Sequence, residues 1–341
     1  MSAGRNADSP QHRALLRNLL PGLMRGLLPG VARDLTRKID NFLQAHWRGL
    51  TISVPFLWLL VFFLVPFFIV LKISLAESLI ASPPFSPLTE WAEDGALRVR
   101  LLFDNFAYLW EDKLYVETYL NSLKISGIST AFCLLIGYPI AYGIVRAASP
   151  AKHILLLLII LPFWTSFLLR VYAWMGILAD QGTINNILIW AGLIERPVRL
   201  LYSEFAVYVG IVYSYLPFMI LPLYASMEKL DMTLNEAASD LGAHPAVTFL
   251  TVTLPLTVPG IIAGSLLVFI PATGEFVIPD LLGGGNVLMI GKVLYGEFNA
   301  NRDWPVAAAV AIALLVVLVA PMMLYQHFQS GESSRGAGKG A

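Results

Sequence analysis

A single cysteine, Cys133, lies among 341 residues, so no internal disulfide can form, and its place inside an apolar run makes it a small buried hydrophobe. Histidine is scarce too. His12, His46, His153, His244 and His327 are scattered without ligand spacing, and no metal site is expected from them. Charged residues make up 13% of the chain, against about 25% in an average soluble domain. A phosphate-binding loop is missing: Gly336, Gly338, Lys339 and Gly340 lack the Walker spacing and a Ser or Thr after the lysine. Lys plus Arg and Asp plus Glu both number 23, so overall charge says nothing about partners and no basic surplus speaks for nucleic acid. With 57% hydrophobic residues and a mean hydropathy of +0.69, what remains is an integral membrane protein.

The sparse charge is unevenly placed. Residues 1–50 carry eight basic side chains against three acids. No apolar core begins before residue 50, so this stretch reads as a retained cytoplasmic arm rather than a cleaved leader. Its Leu/Arg mixture suits an interfacial amphipathic helix on anionic lipid, but Pro21 and Pro29 interrupt it, and an irregular solvated arm fits as well. The segment 75–117 reverses the balance, with eight acids and three bases. That asymmetry puts the arm inside and the acidic loop outside.

Six apolar runs follow from length and charge: 52–73, 119–145, 154–178, 205–227, 251–282 and 305–328, each long enough for about 30 Å of hydrocarbon. The expected fold is an all-α integral membrane protein of six transmembrane helices over 51–329, followed by a disordered cytoplasmic tail, 330–341. Both termini fall in the cytoplasm. Within the fifth run, Gly260 and Gly264 have the small-xxx-small spacing of close helix packing. Its outer end, with Pro271, Gly274 and Pro279, is expected to be broken.

Between the fourth and fifth runs lies a short polar helix, about 233–243. Thr233 and Glu236 have the spacing of a capping box. Ala237 and Ala238 favour helix and present a low surface, Gly242 suits a left-handed closing residue, and Pro245 stops continuation. On capping and composition alone, a plain connection between two spans serves equally well.

Three stretches carry charge near membrane depth, where it is costly and usually faces a cavity or a partner. Arg170 lies with Trp164, Tyr172 and Trp174 in the outer half of the third run. Glu275 sits at the break in the fifth, and Asp303 precedes the sixth. Arg170 can pair structurally with Glu275. Alternatively, Glu275 can face a cavity among Trp164, Tyr172 and Trp174, where charge and cation–π attraction suit an amine.

Glu236-Ala237-Ala238, Gly242, Val252, Leu254 and Pro255 resemble the EAA motif of ABC-importer permeases; only Val252 departs, standing where the pattern has Ile. The resemblance implies a cytoplasmic coupling helix seated in a groove of the ATPase, with Glu236, Ala237, Ala238 and Gly242 at the contact. A second resemblance covers about residues 50–328. Trp164-Thr165-Ser166 through Trp174, Gly274-Glu275-Phe276-Val277-Ile278-Pro279, Leu281-Leu282-Gly283-Gly284, Met289-Ile290-Gly291 and Asp303-Trp304-Pro305 are similar to permeases of polyamine ABC importers. Within that group the Leu71–Glu77 stretch and the long arm most resemble the putrescine permeases of the PotH type.

This resemblance implies a type I importer permease fold in a bacterial inner membrane. The implied partners are a second homologous permease, a cytoplasmic ATPase dimer holding ATP and Mg, a periplasmic polyamine-binding protein, lipid, and putrescine or spermidine as cargo. Trp164, Tyr172, Trp174, Glu275 and Asp303 are then the candidate substrate path. The chain itself performs no catalysis and needs no cofactor. A self-sufficient secondary transporter, or a permease for another small solute, is the alternative reading.

Overall fold

A computed structural model describes Gly49, residues 51–91, 97–231 and 233–337; the expected cytoplasmic arm, 1–48, lies outside the described residues. The first apolar run forms a helix, α1, Thr51–Ser74, with a π-helical turn at Leu60–Leu64. The pattern of contacts divides the chain within this helix, into Met1–Ile69 and Val70–Ala341. In the first unit the Trp58 and Phe62 rings lie tilted by 32° with centroids 4.1 Å apart.

The second unit is helical apart from one small hairpin among the described residues. Strands β1, Thr89–Trp91, and β2, Leu97–Val99, pair antiparallel with Glu90 opposite Arg98, in the acidic segment where the sequence suggested no strand. Helix α2, Asp104–Glu111, follows. The Asn105 side-chain amide ties it back to the carbonyls of Ser74 and Ala76 at 2.9 and 2.8 Å.

Three long helices form the centre: α3, Lys113–Arg146; α7, Glu204–Met227; and α9, Pro245–Thr273. They pack on one another along most of their length. Gly260 and Gly264 behave as their spacing predicts. A Cβ on Gly260 would lie 2.5 Å from Ser226 Cβ, and one on Gly264 would lie 2.8 Å from Met219 Sδ, so α9 approaches α7 where side chains are absent. Cys133 is fully buried here, beside the Val212 carbonyl at 3.8 Å. Prolines 139, 217, 222, 259 and 271 lie inside these helices, tolerated because neighbouring helices protect the freed carbonyls.

The third run departs from expectation. It is two helices, α4, Ser149–Ile160, and α5, Phe167–Leu178, separated by a 3₁₀ turn at Leu161–Trp164. The pair bends by 91° at this break, with α5 continuing towards α6, Thr183–Trp190. Pro162 has no amide to continue the ladder. Thr165 then turns extended, its hydroxyl donating to the Pro162 carbonyl at 2.7 Å.

The fifth run also differs in its limits. It starts at Pro245 and closes at Thr273; Gly274 breaks it as expected, and a short helix, α10, Val277–Leu281, carries the remainder. After α11, Ile290–Gly296, and a π-turn at Glu297–Asn301, α12 runs from Trp304 to Ala337. The tail expected to be disordered from residue 330 is therefore helical through Ala337. Its Gln, Glu, Ser and Arg residues are compatible with helix, and no proline follows Pro321 to stop it. Among the described residues, four helices are long and apolar enough to cross a membrane. Counting the bent pair as one span brings the number to five, and the apolar part of α12, Trp304–Val319, is shorter.

Candidate functional site

Two exposed ion pairs mark the ends of the central bundle. Lys124 meets Glu204 at 3.0 Å at the start of α7, and Lys152 meets Glu228 at 3.0 Å just past its end. The polar helix, α8, Thr233–Asp240, lies at the second end. Its start is capped differently from the expected box. Thr233 donates its amide (3.0 Å) and its hydroxyl (2.8 Å) to Asp231 Oδ1. Those two bonds, the hydroxyl's first, hold the Asp231 carboxyl below its ordinary range.

Glu236 is thereby released from capping. It is exposed and, among the described residues, takes part in no hydrogen bond or ion pair. The other end of α8 closes as the sequence indicates. Gly242 has φ +82, its amide bonds the Ser239 carbonyl, and the Ala243 amide bonds the Ala238 carbonyl at 3.0 Å. This pair of bonds is the Schellman closure, which needs a left-handed residue at that position. His244 Nδ1 then accepts from the Ala246 amide, 3.3 Å, and Pro245 opens α9.

Asn235 fastens α8 to α9, its side-chain oxygen accepting from the Thr253 hydroxyl at 3.3 Å. Leu234, Ala237 and Leu241 are exposed, Leu241 by 89%. At spacings of three and four they share one face. A short helix held at both ends and pinned along one side thus offers an apolar stripe, with the Glu236 carboxylate beside it.

At the opposite end the break in α9 is latched rather than open. Glu275 is only 9% exposed. Its Oε1 accepts from the Phe276 and Val277 amides at 3.1 and 3.0 Å, capping α10, and its Oε2 accepts from Tyr215 Oη of α7 at 2.6 Å. Thr273 donates to Ser126 of α3 at 2.9 Å. Gly291 of α11 lies against the Gly274 and Glu275 carbonyls so closely that no Cβ fits.

The expected pair of Arg170 with Glu275 is not formed. The Arg170 guanidinium lies over Phe163 and Phe167, 5.2 and 5.7 Å from their centroids, and its buried Nε has no acceptor. Tyr215 and two amides already occupy the carboxylate, and Tyr215, invisible as a site residue within an apolar run, supplies the partner that the sequence assigned to Arg170. Nor do the three aromatics gather round Glu275. Trp174 packs edge-on against Tyr213 at 5.5 Å. Trp164, in the 3₁₀ turn, is 78% exposed, and Tyr172, 55% exposed, lies two residues from both Arg170 and Trp174, on a different face of α5. Asp303 caps α12, its Oδ1 accepting from the Val306 amide at 3.2 Å. Among the described residues, no three His, Cys, Asp or Glu side chains come together to hold a metal ion.

Residues 134–331 match the family described as "Binding-protein-dependent transport system inner membrane component". The spermidine/putrescine transport system permease protein PotB of Haemophilus influenzae is 42% identical over 287 residues, 84% of this chain and 95% of its own length. PotB of Escherichia coli (strain K12) is 44% identical over 234 residues, 68% of this chain and 85% of its own. At the level of subtype the likeness is therefore to PotB permeases, in place of the PotH type suggested by the Leu71–Glu77 stretch and the long arm. Among solved structures, a chain of a bacterial ABC transporter that imports the acidic polysaccharide alginate superposes with a TM-score of 0.63 at 18% identity, covering 85% of this chain and 98% of that one. The chain belongs to the inner-membrane permease family of binding-protein-dependent transport systems, a family of transport components and not of enzymes.

Proposed function

We propose that this chain is a permease subunit of an ATP-driven importer that carries polyamines, putrescine or spermidine, from the periplasm to the cytoplasm by alternating access. The observation that carries the transport mechanism is α8, capped by Asp231, closed by Gly242 and exposing Glu236 beside an apolar stripe. Such a helix transmits force because it is ordered before any partner arrives, so docking costs little further ordering. Its partner is a dimeric cytoplasmic ATPase. That dimer holds ATP and Mg, closes on the nucleotide and draws α8 with it, with Glu236 meeting a basic side chain and Ala237, Ala238 and Gly242 allowing close approach.

Polyamine as cargo rests on the spermidine/putrescine relatives, and putrescine is the first to test. A second, related permease completes the path, a periplasmic binding protein delivers the cargo, and both termini lie in the cytoplasm of a bacterium with the chain in its inner membrane. Trp164, Tyr172 and Trp174 flank this path as aromatic surface for an ammonium. Glu275 and Asp303 contribute negative charge already fixed by backbone amides, and Arg170 holds the start of α5 through Phe163 and Phe167.

Uptake of labelled putrescine is measured in cells lacking the chain, in the same cells with it restored, and with the ATPase disabled. Uptake that requires both chain and ATPase supports the reading, and excess spermidine ranks the two polyamines. Uptake that persists without the chain overturns the polyamine assignment.

A further inference from the structure

A cavity of about 460 Å³ opens at the end of the bundle opposite α8, lined by Ser78, Tyr108, Tyr115, Glu297, Asn301, Asp303 and Val306. Its position follows from the helices that build it: the first turn of α3, the end of α2, the π-turn after α11 and the start of α12. Its lining holds two carboxylates and no basic side chain. Among the described residues, no Lys or Arg nitrogen forms an ion pair with Glu297 or Asp303.

The carboxylates are nonetheless held in place. Glu297 Oε1 accepts from Tyr115 Oη at 3.0 Å and Oε2 from the Asn301 amide at 2.8 Å. Both donors are neutral, so they orient the charge without cancelling it, and each carboxylate oxygen keeps a free lone pair. Asp303 spends Oδ1 on the Val306 amide. Tyr115, 2% exposed, meets Tyr108 edge to face at 5.6 Å and forms an aromatic wall beside the acids. Burial first, then the charge of Asp112 and the hydrogen bond to it, and only after these the charges of Glu297 and Asp303, push the Tyr108 hydroxyl above the ordinary phenol range.

A rigid pair of uncompensated carboxylates beside tyrosine rings has a specific preference. A divalent metal ion takes six or more oxygen ligands in a closed shell, and no trio of acidic or imidazole ligands exists here among the described residues. An alkylammonium instead presents three N–H donors to the carboxylates and its first methylenes to the rings. We propose that this cavity is a reception site for one terminal ammonium of an aliphatic polyamine, engaged before the cargo enters the path between the permeases. The site deepens the importer reading and rests on it. Glu297 and Asp303 bind the ammonium, Tyr115 orients Glu297, and Tyr108 covers the methylene next to nitrogen.

The full transporter, assembled with its partner subunits in lipid nanodiscs and without the binding protein, is titrated with putrescine. Replacing Glu297→Gln removes a charge-assisted bond and should weaken binding about tenfold. Asp303→Asn keeps an acceptor for the Val306 amide, so α12 still starts correctly, and it should weaken binding about tenfold as well. In uptake, Glu297→Gln should raise the putrescine concentration for half-maximal rate while leaving the maximal rate in place. Unchanged putrescine binding in both assembled variants overturns the proposal, and so does displacement of putrescine by magnesium chloride as effective as by spermidine. If the unaltered transporter neither binds putrescine nor needs this chain for its uptake, the polyamine reading itself fails. If it binds and imports while both variants bind equally well, only the cavity assignment falls.

Discussion

Tyr215 Oη donates to Glu275 Oε2 at 2.6 Å, joining the middle of α7 to the residue at which α9 breaks. The other carboxylate oxygen caps α10 through two amides. One buried side chain therefore fixes the end of α9, the start of α10 and the middle of α7, and a neutral donor rather than Arg170 completes it. Tyr215→Phe removes that donor and leaves a buried carboxylate short of one bond, at a cost of about 1–3 kcal/mol. The extracted transporter should melt at lower temperature while still assembling. An unchanged melting temperature would show that the latch bears no load.

Gly242 takes a left-handed conformation with open space around its Cα, so no steric contact opposes a side chain there and only the backbone does. For a β-branched residue that conformation is strongly disfavoured, while asparagine tolerates it. Gly242→Val should abolish ATP-coupled uptake with the protein still in the membrane, and Gly242→Asn should retain most of it. Equal activity of the two would remove the turn from the coupling mechanism.

Glu236 has no partner among the described residues, so reversing its charge leaves folding alone. Glu236→Lys should leave the chain at normal levels in the membrane and eliminate uptake, and co-purification of the ATPase should weaken. Normal uptake in this variant is the result that would refute the coupling role.

Gly291 and Gly285 form a matched pair. A methyl on Gly291 meets the Gly274 and Glu275 carbonyls, whereas one on Gly285 meets nothing within 4 Å. Gly291→Ala should reduce the amount of folded protein, as overpacking against backbone costs about 1–3 kcal/mol. Gly285→Ala should be neutral in the same immunoblot and melting experiment.

The Asp231 cap has a definite pH behaviour. Its carboxyl is held below the ordinary value of about 3.9 by hydrogen bonds from Thr233. A depressed acid stabilises the folded state above its unfolded pKa, and that contribution disappears as pH falls through the folded value. Coupling through α8 should therefore show no step from this group between pH 5 and 8, within which any change must arise elsewhere. Asp231→Ala should speed amide hydrogen exchange in the first turn of α8 at neutral pH. Exchange matching that of the unaltered chain would mean that the cap is dispensable.

Periodicity and charge made much of this protein legible in its sequence, because apolar length, loop charge and left-handed glycine are local properties. The spans through α1, α3, α7 and α9, the closure at Gly242, the packing at Gly260 and Gly264, and the break at Gly274 could all be read that way. Partnership could not, since it depends on which helix faces bring distant residues together. Arg170 and Glu275 looked complementary along the chain, yet Tyr215, 60 residues before Glu275, occupies the carboxylate. Asp231 took the capping duty expected of Glu236, and Glu297 met Tyr115 across 182 positions. Local pattern alone specified a bundle of membrane helices with a structured polar connection. Only tertiary packing decided which acids are spent on caps and latches and which, as at Glu297, face a cavity with their charge uncancelled, because burial and hydrogen-bond geometry are set by contacts between helices.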